Sequence, residues 1–179
     1  MLKKLFNRIL KKIIGELKYA RRKGLNADQS VIIIGGVSFG TEPYLITLKK
    51  NVKISNSVQF ITHDGGTWTI RKDGGCHSLV KYGRIVVDEN TFIGAHSIIL
   101  PNVYIGKNVV VGAGSVVTKS IPDNCVVAGV PAKVIMSINE YKMKSLSKMP
   151  SDWSDEQYFK NKRSYLEKRI PYPPKVDNQ

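Results

Sequence analysis

Ile85 to Ser120 reads IVVDEN, TFIGAH, SIILPN, VYIGKN, VVVGAG and SVVTKS when divided into sixes. The third place of each six holds Val87, Ile93, Ile99, Ile105, Val111 and Val117, and the first holds Ile85, Thr91, Ser97, Val103, Val109 and Ser115. Gly follows the aliphatic residue at Gly94, Gly106 and Gly112. A period of six matches neither an amphipathic helix nor the alternation of a half-buried strand. It matches a solenoid in which each six supplies one short strand and one corner. β-branched residues suit the strands, while Gly, Asn and Asp suit corners that need unusual dihedrals. Stacking then buries an aliphatic column that no single repeat could bury alone. Six consecutive hits in register separate this pattern from an apolar strand of chance spacing.

Upstream the spacing weakens. Val31 to Ile34 reads as a first strand, with Phe39 and Leu45 continuing the interval from Ile33. The register then slips by three, with Pro43 at the slip, and Leu48, Ile54 and Phe60 carry the next set. From Ile61 to Arg84 the repeat gives way to THDGGTWTIRKDGGCHSLVKYG. An excursion of this length inside a compact repeat is a functional loop or a disordered one, and its apolar and aromatic residues favour the first. Residues 61–84 are therefore expected to form a loop ejected from one corner. Downstream, Pro122 and Pro131 mark turns at the end of the coil, in IPDN and CVVAGVPAKVI. Residues 137–179 predict helix, broken at Met149–Pro150, with Ser154 and Gln157 as a capping box. Tyr158, Phe159, Tyr165 and Leu166 would form its buried face, and Pro171, Pro173 and Pro174 an extended tail.

At the other end, Leu2, Leu5, Phe6, Ile9, Leu10, Ile13, Ile14 and Leu17 make a helical stripe opposite Lys3, Lys4, Arg8, Lys11 and Lys12. This basic amphipathic helix over 1–24 either lies on an anionic membrane surface or packs on the solenoid or a sister subunit. The polar run Asn26 to Ser30 is read as its close. The 179 residues hold 28 Lys and Arg against 14 Asp and Glu, a net charge of +14. That balance admits nucleic acid, anionic lipid or a phosphate-bearing ligand as partner. Cys76 and Cys125 form no framework, which points to a reducing compartment. Charges interrupt the N-terminal apolar positions, so neither a signal-peptide core nor a membrane span is expected, and the expected location is the cytoplasm.

With the hexads, the His-bearing loop and the ending VVTKSIPDNCVVAGVPAKVI in view, the chain resembles the left-handed β-helix acyltransferases of the hexapeptide-repeat group, which includes galactoside, maltose and serine acetyltransferases. The resemblance covers roughly residues 31–135. It implies an all-β fold, a left-handed parallel β-helix, assembled as a homotrimer with the active site between neighbouring coils; the helical segments over 1–24 and 137–179 lie outside it. It also implies acetyl-CoA as acyl donor and a hydroxyl or amine as acceptor. By position the family's catalytic His falls on His63. Imidazole is a suitable general base for a sugar hydroxyl near neutral pH. Asp64 is the expected partner that orients it, and His77 and His96 are weaker candidates that line the cleft. The resemblance places the CoA contacts on Ala95, Ala113, Thr118, Lys119 and Lys133. Some relatives have Ser in place of Ala95 and Arg in place of Lys133; Lys133 keeps the charge without the bidentate fork.

The string THDGGTW looks like members that modify capsule, lipopolysaccharide or other surface glycans, with Trp68 able to stack on a sugar ring. The alternative acceptor is a drug or small metabolite. A zinc lyase of the γ-type carbonic anhydrase kind shares the solenoid and uses three histidines. Here His63, His77 and His96 lie 14 and 19 residues apart, without a close ligand pair, so no metal is expected. A non-catalytic scaffold would turn over no acetyl-CoA. Nucleic-acid binding is not expected, because no recognised motif accompanies the charge.

Overall fold

The computed structural model describes residues 10, 14–71, 77–171 and 173. Its strands form three parallel ladders, visited in turn by each coil. One ladder stacks Asn26–Ala27, Ile46–Leu48, Ile85–Val87 and Val103–Ile105. The second stacks Ile32–Ile33, Lys53–Ile54, Phe92–Ile93, Val110–Val111 and Cys125–Ala128, closed by the antiparallel strand Lys133–Ser137. The third stacks Gln59–Phe60, Ile98–Ile99 and Val116–Val117, with Ser38 bridging to Gln59.

The hexad periodicity translates directly into register. Leu48 pairs with Val87 and Val87 with Ile105; Ile54 pairs with Ile93 and Ile93 with Val111; Phe60 pairs with Ile99 and Ile99 with Val117. These third-place residues are at most 1% exposed. Each such burial is worth roughly 1.5–3 kcal/mol, so the column holds the coils together. The buried hydroxyls at the first place turn back to corner carbonyls: Thr91 Oγ1 donates to Gly106 O at 2.8 Å, Ser97 Oγ to Gly94 O at 2.8 Å and Ser115 Oγ to Gly112 O at 2.7 Å. That satisfaction is why a polar residue is tolerated there.

Corners repeat as strictly as strands. The residue three places after an inward aliphatic adopts left-handed dihedrals at Asn51, Asn90, Asn108 and Asn124, with φ of 57°, 56°, 54° and 59°. Asn is among the few side chains that enter this region readily. Their amides stack into a ladder, each Nδ2 donating to the next Oδ1 at 2.8 Å. A second corner column has Gly36, Ser57, His96 and Gly114, also at positive φ.

Near the start of the coil the structure departs from the sequence reading at three places. The coil begins at Asn26, whose strand pairs with Thr47–Leu48, so the run Asn26 to Ser30 belongs to the first coil and does not merely close a helix. Leu45 leaves the interval of six: it sits in a short 3₁₀ turn, Pro43–Leu45, because the slip of three already falls between Phe39 and Leu48. Gly15, at φ 81°, precedes the helix Glu16–Arg22, and Ala20 and Leu17 of that helix pack on the core. Of the N-terminal stripe, Leu2, Leu5, Phe6, Ile9 and Ile13 lie outside the described residues.

Residues 142–179 form a second unit. Ser154 Oγ accepts from Gln157 N at 3.3 Å at the start of the helix Asp155–Lys160, followed by the helix Lys162–Arg169. Tyr165 is buried there, with the Trp153 ring at 5.4 Å and the Arg169 guanidinium 4.0 Å from its centroid. Phe159 is 80% exposed and leaves the expected buried face. Asn161 divides the segment into two helices, so the spacing from Phe159 to Leu166 does not run along one axis. Among the described residues, no helix is long and apolar enough to cross a membrane.

Candidate active site

Glu42 and His63 occupy equivalent places in adjacent coils. The Phe39 and Phe60 rings stack at 5.5 Å, and Glu42 follows the first by three residues as His63 follows the second. The stacking brings Glu42 Oε2 to 3.0 Å from His63 Nδ1. Thr62 Oγ1 donates to the same carboxylate oxygen at 2.7 Å, and Thr41 Oγ1 donates to Oε1 at 2.6 Å. Burial works to raise the Glu42 pKa, but the hydrogen bonds from Thr41, Thr62 and His63 outweigh it and hold the carboxyl below the usual glutamate value. An ionised Glu42 accepts a proton-bearing Nδ1, which leaves Nε2 as the lone-pair nitrogen of the imidazole.

His63 begins the short strand His63–Asp64, which pairs antiparallel with Lys81–Tyr82 where the excursion returns. A cleft of about 900 Å³ opens here, bounded by His63, Asp64, Lys81 and Tyr82 on the hairpin and Leu100, Pro101 and Asn102 on the next coil. The Tyr82 ring lies 5.8 Å from the imidazole. Gly83 closes the hairpin against that coil: a Cβ there would stand 2.4 Å from Asn102 N, so only Gly permits this approach.

Asp64 does not orient the imidazole. Its carboxylate accepts from Gly66 N at 2.8 Å and caps the 3₁₀ turn Gly65–Ile70, and Glu42 takes the Nδ1 position instead. Neither Trp68, 61% exposed on that turn, nor His77, exposed on the excursion, lines the cleft. His96 stands at a different corner, three residues after Ile93 of the second ladder. Among the described residues, no group of three His, Cys, Asp or Glu side chains could hold a metal ion. Sequence reasoning missed Glu42, Lys81, Tyr82 and Asn102. The signal for Glu42 was its place three residues after Phe39.

The residues expected to contact CoA flank the third ladder. Ala95 and Ala113 stack at one edge, where Gly114 N donates to Ala95 O at 2.8 Å. Gly94 allows these turns to touch: a Cβ there would meet Ala113 N at 2.5 Å. Thr118 and Lys119, both exposed, follow Val117 at the other edge. Lys133 is exposed on the closing strand, paired with Ala128. Ala132 N donates to Val116 O at 2.9 Å and Val116 N to Gly129 O at 3.0 Å, so the chain before Lys133 lies along the third ladder. Small side chains at one edge and an exposed cation at the other form a surface that suits a long phosphate-bearing arm.

The family model for bacterial transferase hexapeptide (six repeats) matches residues 84–119. Protein CapG of Staphylococcus aureus is 43% identical over 167 residues, covering 92% of this chain and 94% of that protein. Galactoside O-acetyltransferase of Escherichia coli strain K12 is 42% identical over 100 residues, 55% of this chain and 47% of that enzyme, so the chain spans about half of its length. A solved galactoside acetyltransferase in complex with coenzyme A superposes with a TM-score of 0.50 at 25% identity, covering 77% of this chain and 74% of that one. The stacked hexads and the agreement along nearly the whole of CapG lead to one conclusion: this chain belongs to the hexapeptide-repeat bacterial transferases, and is an acyltransferase.

Proposed function

We propose that the protein moves an acetyl group from acetyl-CoA to a hydroxyl of a carbohydrate acceptor, a precursor of a surface glycan, with His63 as general base. The observation that carries this reading is the Glu42–His63 pair at the rim of the cleft. His63 Nδ1 donates to Glu42, so Nε2 takes the proton from the acceptor hydroxyl as that oxygen attacks the acetyl carbonyl. Acetyl-CoA supplies an activated thioester; Ala95, Ala113, Thr118, Lys119 and Lys133 would hold it along the third ladder. Lys81, Tyr82 and Asn102 are placed to contact the acceptor, with Trp68, His77 and His96 as outlying candidates. The acceptor class draws support from the galactoside-directed relative. The family implies a left-handed coil and a homotrimer in which a neighbouring subunit completes the cleft; the location proposed is the cytoplasm.

The test is release of CoA thiol against a panel of nucleotide sugars, lipid-linked glycans, free sugars and small drug-like amines. Turnover confined to hydroxyl-bearing carbohydrates supports the proposal. Turnover confined to amines or small metabolites replaces the acceptor, and no turnover with any member rejects the catalytic reading.

A further inference from the structure

The C-terminal unit contains a pocket that acetyl transfer does not use. It lies between the helices Asp155–Lys160 and Lys162–Arg169 and has a volume of about 410 Å³. Lys160, Lys168 and Arg169 line it together with Gln157, Asn161 and Ser164, and among the described residues no carboxylate does. Helical spacing explains the convergence: Gln157 and Lys160 stand three apart on one helix, Ser164 and Lys168 four apart on the next.

Donors exceed acceptors here. Among the described residues, Lys160 and Lys168 have no ion pair and the side chains of Gln157 and Ser164 no hydrogen bond. Acids nearby are committed elsewhere: Glu167 accepts from Arg163 at 2.9 Å, and Asp152 takes Arg169 Nη2 at 2.6 Å. Among the described residues Arg169 Nε is buried without a hydrogen-bond partner, and its guanidinium carbon lies over the Tyr165 ring. Lys160 and Lys168 carry like charge on the two helices that bound the pocket, and an anion seated there would meet both.

We propose that this pocket binds a phosphate group, either on a soluble phosphate compound or on an anionic lipid headgroup. Lys160 and Lys168 supply charge from its two walls, and the Ser164 hydroxyl and Gln157 amide supply directional donors to the phosphate oxygens. None of its residues is assigned a role in the transfer reaction, and the proposal does not depend on that reading.

Inorganic phosphate is titrated calorimetrically into the full chain at constant ionic strength, beside flotation with vesicles of phosphatidylglycerol and phosphatidylcholine or of phosphatidylcholine alone. The comparison is a Lys160→Gln/Lys168→Gln variant, which retains Lys119, Lys133 and residues 1–24 and whose unfolding temperature is measured alongside. Saturable binding of one phosphate per chain, weakened about tenfold or more in the variant, establishes the site for soluble phosphates. Flotation with the anionic vesicles alone, lost in the variant, establishes it with a lipid source. A milder Ser164→Ala change should weaken the same binding and guards against misfolding of the double variant. Absence of binding to both probes, or equal binding by wild type and the variants, overturns the proposal.

Discussion

Glu42 lies 21 residues before His63, yet shares its carboxylate with the imidazole and with Thr62, the residue beside it. His63→Ala should lower kcat by something on the order of 10²–10⁴ while CoA affinity holds. Glu42→Gln should lower kcat with little change in KM, because an amide can present N–H to Nδ1 and invert the tautomer. Asp64→Asn should remain near wild type. The reverse ranking in steady-state assays, Asp64→Asn inactive and Glu42→Gln normal, would refute the pairing. A second carboxylate offers a test by pH. Burial tends to raise the pKa of Asp88, but hydrogen bonds from Tyr104, Lys49 and Glu89 N, with the charge of Lys49, hold it down at about 2. A depressed folded-state pKa contributes stability above the unfolded value, lost as pH falls from about 4 toward about 2. The gap in denaturant midpoint between wild type and Asp88→Asn should therefore be widest near neutrality and narrow in acid. A gap that persists unchanged at pH 2 would contradict this.

At the level of elements, the turn from the second ladder to the third tolerates no added atoms at Gly94. Its Cβ would also lie 2.7 Å from Val111 O and 2.8 Å from Gly112 C, and all three contacts are backbone, which cannot swing aside. Gly94→Ala should cost about 1–3 kcal/mol as the coils part, and should weaken CoA binding at Ala95 and Ala113 more than it alters the Glu42–His63 step. Thermal unfolding with CoA titration checks both halves. An alanine variant with wild-type stability and wild-type affinity would place the donor elsewhere.

For the whole molecule, the helix Glu16–Arg22 and the first coil form one structure. Ala20 and Leu25 are buried, and Glu16 Oε2 accepts from Val37 N at 2.8 Å on the opening coil. The sequence reading treats residues 1–24 as separable from the coil at 31–135. A chain starting at Gly15 is now expected to keep both fold and turnover, whereas one starting at Ala27 loses the helix and Leu25 and should melt at lower temperature. Circular dichroism and thiol release distinguish them; a fully stable, active chain from Ala27 would show that the helix contributes nothing to the coil. Light scattering of the intact protein should give three chains per particle, and a monomer at micromolar concentration would count against the shared cleft.

The parallel ladders, their register and the buried column were legible from Ile85 to Ser120, because a stacked coil repeats its environment every six residues and each place imposes its own chemistry. The motif that carries the resemblance also pointed to His63 as the candidate base, and that residue lines the cleft. Its partner was not. Asp64 is adjacent in sequence, but adjacent residues in a strand point to opposite sides, and its carboxylate turned to cap the following turn. Glu42 met the imidazole because a slip of three after Phe39 still left its coil stacked on the next, a relation set by the axis of the solenoid. The same holds for Phe159, exposed once Asn161 divided its helix, and for the basic pocket, which Lys160 and Lys168 line from separate helices. Local chemistry and period are written along the chain; which side chains meet across coils and between helices is decided by packing in three dimensions.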